Sequence, residues 1–281
     1  MKVVRTAIEL REALARASSE GRTIGFVPTM GALHEGHLSL VRASRKDCDV
    51  VVLSIFVNPL QFGPTEDLDA YPRNEERDLE RARSEKVDVV FVPTVGEMYP
   101  EGRSATVSVR GVAEPLEGMA RPGHFDGVAT VVAKLFNLVQ PARAYFGQKD
   151  AQQVAVVKQM TRDLSFPVRV VVCPTVREPD GLALSSRNAY LSAEDRVRAV
   201  SLFRALETGR QVLIAGGNWE VAEKAMGKVF EGADGVLLEY ARAVDPETFA
   251  SPTETGPVLL VAAARVGGTR LIDNMLVEGS A

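Results

Sequence analysis

Residues Pro28 to Leu40 read PTMGALHEGHLSL and mark a change from strand to helix. The run before them, Thr23 to Val27, is of the buried-strand type, and a helical pattern from Gly36 to Lys46 overlaps their end. A helix that begins at such a turn offers N–H groups without intrahelical partners and the positive end of its dipole. The turn is therefore suited to binding a phosphate group.

The same alternation continues on both sides of this turn. A capping-box pattern at Thr6 and Glu9 predicts a helix that ends near Gly21. Strands alternating with helices predict an α/β fold with a doubly wound parallel sheet, whose ligands bind beyond the carboxyl ends of the strands. The further strand candidates are Val50 to Val57, Val87 to Val92, Ala144 to Phe146 and Val168 to Val172, and the further helix candidates are Asn74 to Lys86, Gly127 to Val139 and Asp150 to Leu164.

The pattern changes after Pro174. A turn-rich stretch from Arg177 to Asn188 precedes two helix candidates and then two β-like runs. Helices followed by strands predict a second, smaller α+β domain. We therefore predict domains at 1–175 and 176–281, the second closing over the active site. The helix candidates are Ala193 to Ile214 and Trp219 to Phe230, and the β-like runs are Val236 to Val244 and Val258 to Arg265.

Composition limits the classes of function. The 281 residues carry a formal net charge of −4, which argues against nucleic-acid or membrane partners. Cys48 and Cys173 are far apart and form no CxxC pair, so we interpret them as reduced thiols. Charged residues interrupt the N-terminus, and the best apolar run, Val50 to Val57, is too short to span a bilayer. We predict a cytoplasmic protein.

Two of the three histidines lie at the first strand-to-helix turn. His34 and His37 are three residues apart, on one face of a helical turn, and could donate to phosphate oxygens that gain charge in a transition state. Either histidine could instead only cap or pack the loop. A zinc site with His124 as third ligand is another alternative, but no acidic or cysteine ligand completes it at a recognisable spacing.

Two common nucleotide signatures fail at this turn. Gly31 and Gly36 have the glycine spacing of a Walker A loop, but His37 and Leu38 stand where Lys and Ser or Thr are needed. GxGxxG is absent. The P-loop and ordinary dinucleotide-binding interpretations are therefore weakened.

Three further polar clusters follow strands or join the domains. In Phe146 to Gln153, Lys149 could reach a polyphosphate and Asp150 is a good N-cap, although capping with solvent exposure is an alternative. The stretch Leu184 to Asn188, LSSRN, is either a phosphate clamp or an ordinary linker. Asn58 and Gln61 could hydrogen-bond a small hydroxylated acid, or form a simple Asn-Pro turn.

Six segments occur in order between Pro28 and Asn188. They are PTMGALHEGHLSL from Pro28, NPLQFGPTEDL from Asn58, YPR from Tyr71, RPGHFDGV from Arg121, FGQKDAQQ from Phe146 and LSSRN from Leu184. Together they resemble the pantothenate synthetase family, whose members belong to an adenylyl-transferring superfamily with an HxGH-type motif on a Rossmann-like fold. The resemblance implies an AMP-forming ligase that condenses (R)-pantoate with β-alanine through a pantoyl adenylate, releasing AMP and pyrophosphate.

The resemblance also implies roles for individual residues. His37, His34, Lys149 and Arg187 would be catalytic, and Gln61, Gln153, Met30 and Asn58 would bind pantoate or β-alanine. Asp78, beside Arg77, would be the magnesium contact, and the enzyme would be a homodimer that uses Mg²⁺. The ATP site would comprise Pro28, Thr29, Met30, Gly31, His34, Gly36, His37, Gly147, Gln148, Lys149, Asp150, Val176, Leu184, Ser185, Ser186 and Arg187.

Two other hypotheses remain at this point. One is a nucleotidylyltransferase of the same superfamily that acts on another small acceptor. The amides of Gln61 and Gln153 favour a small acid over a phosphorylated acceptor, which would need more Lys or Arg. The other is a non-catalytic nucleotide-binding module, in which the paired histidines would have no purpose.

Overall fold

The computed structural model describes residues 1–64, 66–253 and 255–278. They form two compact units, one of residues 1–147 and 156–173, the other of residues 148–155 and those from 174 onward. The predicted boundary puts residues 148–155 in the first domain, whereas the structure groups these residues with the second unit. The quoted motif at 58–68 includes Thr65, and the predicted second domain extends to 281. Thr65 and residues 279–281 lie outside the described residues.

Strands and helices alternate along the first unit, as predicted. Within the described residues, six parallel strands form one sheet in the order β1-β4-β3-β2-β5-β6. The α/β class is confirmed. The elements are β1 (Lys2–Val4), α1 (Ala7–Ser19), β2 (Ile24–Thr29), α2 (Glu35–Asp47), β3 (Val50–Ile55), α3 (Glu75–Ser84), β4 (Val89–Phe91), α4 (Val95–Met98), α5 (Glu117–Ala120), α6 (His124–Val139), β5 (Arg143–Gly147), α7 (Ala151–Asp163, whose first five residues belong to the second unit) and β6 (Arg169–Cys173).

Strand β2 lies at the centre of this sheet. Its Phe26 and Val27 are fully buried, and Val27 pairs with Leu53 of β3, which is equally buried. The chain winds from β2 through β3 to β4 in one direction, and β5 and β6 lie on the other side of β2. The direction of winding therefore changes between β2 and β5, where open α/β sheets bind their ligands.

Strand β1 was not predicted. It is only three residues long, and only Val4 is buried, where it pairs with Phe91 of β4. A single buried residue gives no alternating pattern that could be recognised. The capping box predicted at Thr6 and Glu9 is present at the start of α1.

The second unit contains helices and a small antiparallel sheet, so the α+β prediction is confirmed. Within the described residues the sheet has three strands in the order β7-β8-β9. Its core includes Leu202 and Leu206 of α9, Met226 of α10 and Leu260 of β8. The elements are α8 (Ala193–Arg198), α9 (Val200–Ile214), α10 (Trp219–Glu231), β7 (Val236–Val244), β8 (Val258–Val266) and β9 (Thr269–Val277).

Two details of this unit differ from the prediction. The helix predicted over 193–214 is divided at Ala199, which ends α8 and precedes α9. Strand β9 was not predicted, because Asp273 and Asn274 are polar residues at buried positions and interrupt its apolar pattern. Among the described residues, no helix has both the length and the apolar composition needed to cross a bilayer.

Candidate active site

Both histidines of the first turn are bound to the start of α2. Nδ1 of His34 accepts a hydrogen bond from the backbone N–H of Gly36 at 3.2 Å, and Nδ1 of His37 accepts from the N–H of His34 at 3.3 Å. The ring centroids are 4.1 Å apart. An Nδ1 that accepts from a backbone N–H is unprotonated, so the neutral ring carries its proton on Nε2. Both histidines therefore cap the start of α2, and this capping leaves Nε2 of each ring as its donor. Their role in phosphate binding stays a prediction.

The turn before His34 is held from α3. Asp78, which is 2% exposed, accepts hydrogen bonds from the N–H groups of Ala32 and Leu33 at 2.8 and 2.7 Å. Arg81 donates to the Leu33 carbonyl. Gly31 has a φ of +86°, and a Cβ there would lie 2.9 Å from an Asp78 oxygen, so only glycine allows this approach. Asp78 and Arg81 thus fix the backbone that leads into the two histidines.

Asp78 and His124, the residues considered for metal contacts, are both engaged by other groups of the protein. Both oxygens of Asp78 accept hydrogen bonds from backbone amides, so the carboxylate has a structural role. The magnesium contact that the resemblance implied stays a prediction. Burial raises the pKa of Asp78, although the two amides act in the opposite direction. His124 faces the Gln61 carbonyl and Arg121, which leaves it unsuited to complete a zinc site with His34 and His37. Among the described residues, no three His, Cys, Asp or Glu side chains are arranged to hold a metal ion.

A second polar turn follows β3. Asn58 caps the 3-10 turn Pro59–Gln61, and its Nδ2 donates to the Gly127 carbonyl at 3.1 Å and to Gln61 Oε1 at 3.0 Å. Its Oδ1 accepts from the Tyr99 hydroxyl at 2.7 Å. These bonds use both donor hydrogens of the Asn58 amide. Asn58 therefore orients Gln61, and the ligand contacts expected of the two amides stay predictions.

The side-chain nitrogen of Gln61 contacts a weak hydrogen-bond acceptor. Since Asn58 Nδ2 faces Oε1, Gln61 Nε2 points the other way and contacts the Met30 sulfur at 3.1 Å. A thioether sulfur is a weak acceptor. A hydroxyl or carboxylate oxygen would therefore replace the sulfur favourably as partner of this N–H. The structure thus brings together three of the four residues that the resemblance implied would bind pantoate or β-alanine. They are Met30, Asn58 and Gln61.

In the second unit, the turn that carries Lys149 is fastened to β9. Asn274 Nδ2 donates to the carbonyls of Gln148 and Lys149 at 2.9 and 2.8 Å, and Gln148 Nε2 donates back to Asn274 Oδ1 at 3.2 Å. Lys149 Nζ lies 3.5 Å from a carboxylate oxygen of Asp150. Next to Asn274, Asp273 forms a buried, two-bond ion pair with Arg177. The backbone that carries Lys149 is therefore fixed by side chains more than 120 positions later in the chain.

The LSSRN segment is a structured turn. The Leu184 N–H donates to the Val176 carbonyl at 3.0 Å, and Arg177 and Ala183 form an antiparallel bridge. Ser185 caps the 3-10 helix Ser186–Tyr190 by accepting from the Arg187 N–H at 3.3 Å. The predicted residues Val176 and Leu184 to Arg187 thus share one hairpin and its following turn. Gln153 lies in the first turn of α7, in the same unit.

The other residues predicted to bind ATP include three at the C-terminal ends of strands. Pro28 and Thr29 are the last two residues of β2, and the Thr29 hydroxyl donates to the Ser54 carbonyl at 2.7 Å and accepts from the Gly31 N–H at 3.2 Å. Gly147 is the last residue of β5. The predicted nucleotide residues are divided between the two units, with His34 and His37 in the first and Lys149 and Arg187 in the second.

Sequence reasoning missed the residues that support these turns. Each of them bonds to a backbone or side-chain group that is more than 40 positions away in the sequence, which no local spacing reveals. One signal was present, because the pair Asp273-Asn274 is polar within an otherwise apolar run, and such residues are buried only when hydrogen-bonded. The missed residues are Arg81, Tyr99, Arg177, Asp273 and Asn274, together with the structural role of Asp78.

The fold and the turns define a class of enzyme. A Rossmann-like parallel sheet that carries an HxGH turn in place of a Walker or GxGxxG loop, with a neighbouring amide turn, is expected of a nucleotide-dependent enzyme that acts on a small acid.

Comparison with known proteins narrows this class. The family described as Pantoate-beta-alanine ligase matches residues 2–276. A pantothenate synthetase of Caldicellulosiruptor bescii is 52% identical over 281 residues, which cover 99% of both chains. The crystal structure of a pantothenate synthetase from Thermus thermophilus superimposes with a TM-score of 0.93 at 51% identity, over 98% of this chain and 99% of that one. A pantoate-beta-alanine ligase from Francisella tularensis, complexed with beta-gamma ATP and beta-alanine, gives a TM-score of 0.80 at 35% identity, over 98% of this chain and 97% of that one.

The chain belongs to the pantoate-beta-alanine ligase family. It is therefore a ligase, as the resemblance implied, and the hypothesis of a non-catalytic nucleotide-binding module is wrong.

Proposed function

We propose that this protein condenses (R)-pantoate with β-alanine at the expense of ATP, through an enzyme-bound pantoyl adenylate. A pantoate carboxylate oxygen attacks the α-phosphorus of ATP, the bond to the bridging oxygen breaks, and pyrophosphate leaves. The amine nitrogen of β-alanine then attacks the activated carbonyl carbon, and the C–O bond to AMP breaks. The amine gives up a proton, and pantothenate and AMP are released.

The observation that carries this proposal is the pair of hydrogen bonds accepted by the Nδ1 atoms at the HxGH turn. With both Nδ1 atoms accepting from backbone N–H groups, the Nε2 positions of His34 and His37 are the donors for phosphate oxygens. Attack by an anion on an anionic phosphate needs such donors, because charge builds up on the phosphate oxygens in the transition state. Lys149 and Arg187 would neutralise further charge, and the start of α2 would add its dipole.

Two side-chain amides support pantoate as the acid substrate. Gln61, oriented by Asn58 and resting on the Met30 sulfur, would donate to a pantoate oxygen, and Gln153 would be a second amide for the same substrate. Amides bind hydroxyl and carboxylate oxygens without adding charge to an already anionic pair of substrates.

Magnesium enters this proposal as part of the substrate MgATP. Mg²⁺ commonly binds through substrate phosphates with few protein ligands, which agrees with the engagement of Asp78 by backbone amides. We further propose that the enzyme is a cytoplasmic homodimer in which the second unit closes over bound nucleotide, with the turn at 184–188 contributing to the phosphate site.

The experiment is direct product analysis. The purified protein is incubated with MgATP, pantoate and β-alanine, and pantothenate and AMP are quantified by chromatography and mass spectrometry. Equal amounts of pantothenate and AMP are expected. Replacing pantoate with a phosphorylated acceptor should give no nucleotide-linked product, and the opposite pattern would favour the nucleotidylyltransferase hypothesis.

A further inference from the structure

The motif RPGHFDG, residues 121–127, has no role in the function proposed above, yet it packs directly on the turn that carries Gln61. A Cβ built on Gly127 would lie 2.3 Å from the Leu60 carbonyl oxygen and 2.6 Å from the Gln61 nitrogen. No side chain fits in that space. The Gly127 carbonyl also accepts from Asn58 Nδ2. The backbone of α6 and the 59–61 turn are therefore in direct contact.

Two side chains of the motif converge on one backbone atom. His124 Nδ1 lies 2.8 Å from the Gln61 carbonyl oxygen, and Arg121 Nη2 donates to the same oxygen at 3.3 Å. Arg121 is itself fixed by Glu66, with bonds of 2.8 and 2.6 Å to the two carboxylate oxygens. This gives the Gln61 carbonyl two donors, one of them held by an ion pair.

The contacts of the His124 ring determine its tautomer. Nε2 lies 3.1 Å from Arg121 Nη1, and a guanidinium can only donate, so Nε2 accepts and is unprotonated. Nδ1 faces a carbonyl oxygen, which can only accept, so Nδ1 carries the proton. His124 is therefore a neutral ring that transmits a hydrogen-bond chain from Glu66 through Arg121 to Gln61. It has the opposite tautomer to His34 and His37.

We infer that His124, supported by Arg121, is a positioning residue that holds Gln61 in the orientation needed to bind pantoate. The inference rests on the proposed function, since it takes Gln61 as a pantoate donor. Asn58 bonds to the side-chain amide of Gln61, and His124 bonds to its backbone carbonyl. The two contacts together fix the direction in which the Gln61 Nε2–H points. Loss of the His124 bond frees the Gln61 backbone to shift, and small displacements of a binding group weaken recognition strongly.

The test is a matched pair of substitutions in the full-length enzyme. In His124→Asn, the amide nitrogen is bonded to Cγ, as Nδ1 is, and can still donate to the Gln61 carbonyl. In His124→Gln, the amide lies one bond further out, near the former Nε2, and the donor to Gln61 is lost. We expect His124→Gln to raise the KM for pantoate about tenfold or more, with the KM for ATP within about twofold of wild type. His124→Asn should restore the pantoate KM to within about threefold of wild type.

Gln61→Ala separates this inference from the proposed function. If the wild type makes no pantothenate, or if Gln61→Ala leaves the pantoate KM unchanged, the proposed function or its assignment of Gln61 is wrong. If Gln61→Ala raises the pantoate KM but His124→Gln does not, the positioning role is wrong and the function stands. Equal defects in His124→Asn and His124→Gln, or an equal rise in both substrate KM values, would also overturn it.

A spectroscopic measurement on the wild type does not depend on whether any variant folds. Long-range ¹H–¹⁵N correlation spectra of the three imidazoles distinguish protonated from unprotonated ring nitrogens. The His124 ring should show a protonated Nδ1, and the other two rings should show a protonated Nε2. A protonated Nε2 at His124 would contradict the hydrogen-bond chain and overturn the inference.

Discussion

His124 should make the stability of this protein depend on pH in the mildly acidic range. Burial, together with the nearby guanidinium of Arg121, lowers the pKa of His124 from its ordinary 6.5 to about 4, against the opposing effects of the Gln61 carbonyl, Glu66 and Glu117. The folded ring therefore stays neutral where the unfolded ring takes up a proton. Its contribution to stability is complete above pH 6.5 and is lost as the pH falls from 6.5 towards 4.

The magnitude follows from the two pKa values. A lowering from 6.5 to about 4 corresponds to about 3 kcal/mol, at about 1.4 kcal/mol per pH unit. At pH 4.5, about 2.5 kcal/mol of this has been lost relative to pH 7.5. That is a substantial part of the roughly 5–15 kcal/mol by which a typical protein is stable.

The assay compares wild type with His124→Asn, which keeps the donor to Gln61 but cannot titrate. Urea unfolding followed by far-UV circular dichroism gives the free energy of unfolding of each protein at pH 7.5 and pH 4.5. The other acidic and basic groups are common to both proteins and largely cancel in the comparison. We expect the wild type to lose about 2.5 kcal/mol more than the variant between the two pH values. Equal losses, or an NMR titration of the His124 ring with a midpoint near 6.5, would refute the reasoning.

Three further substitutions test the supports of the site. His37→Ala should lower kcat about a hundredfold with the fold retained, because it removes one donor to developing charge; steady-state kinetics and circular dichroism decide this. Asp78→Ala should lower the free energy of unfolding by about 2–4 kcal/mol, since it leaves two backbone N–H groups unsatisfied. In Asp78→Asn, the Mg²⁺ concentration that gives half-maximal activity should stay unchanged. A marked rise in that concentration would show that Asp78 contacts magnesium. Asn274→Asp should raise the KM for ATP about tenfold or more, because it places a carboxylate against the carbonyls of Gln148 and Lys149; an unchanged ATP KM in titration kinetics would show that the Lys149 turn needs no such support.

Much of the fold could be predicted from local patterns. The runs that became β2 and β3 are mostly buried and contain β-branched or aromatic residues, and the α1 cap was explicit at Thr6. Two strands escaped prediction for different physical reasons. Strand β1 buries one residue only, and β9 interrupts its apolar pattern with Asp273 and Asn274, whose burial depends on partners elsewhere in the chain.

The candidate site was predictable to the extent that its residues sit at strand ends. His34, His37 and Gln61 follow strands that meet at one edge of the sheet, and the spacing of polar residues after each strand indicated them. The role of each individual residue could not be predicted. Asp78, predicted to contact a metal, holds a turn, and Asn58, predicted to touch the acid, orients Gln61. The bonds of Asp78 to the turn before His34, and those of Asn58 to Gly127 and Tyr99, join residues tens of positions apart, which local spacing does not reveal.

Isotope exchange tests the proposed activation of pantoate at the α-phosphate of ATP. With pantoate, ATP and Mg²⁺ but no β-alanine, the enzyme should exchange labelled pyrophosphate into ATP, because the adenylate forms reversibly before the amine is needed. Addition of β-alanine should then release AMP in step with pantothenate. Formation of ADP and orthophosphate, with no pyrophosphate exchange, would mean an acyl phosphate intermediate and would contradict the roles assigned to His34 and His37.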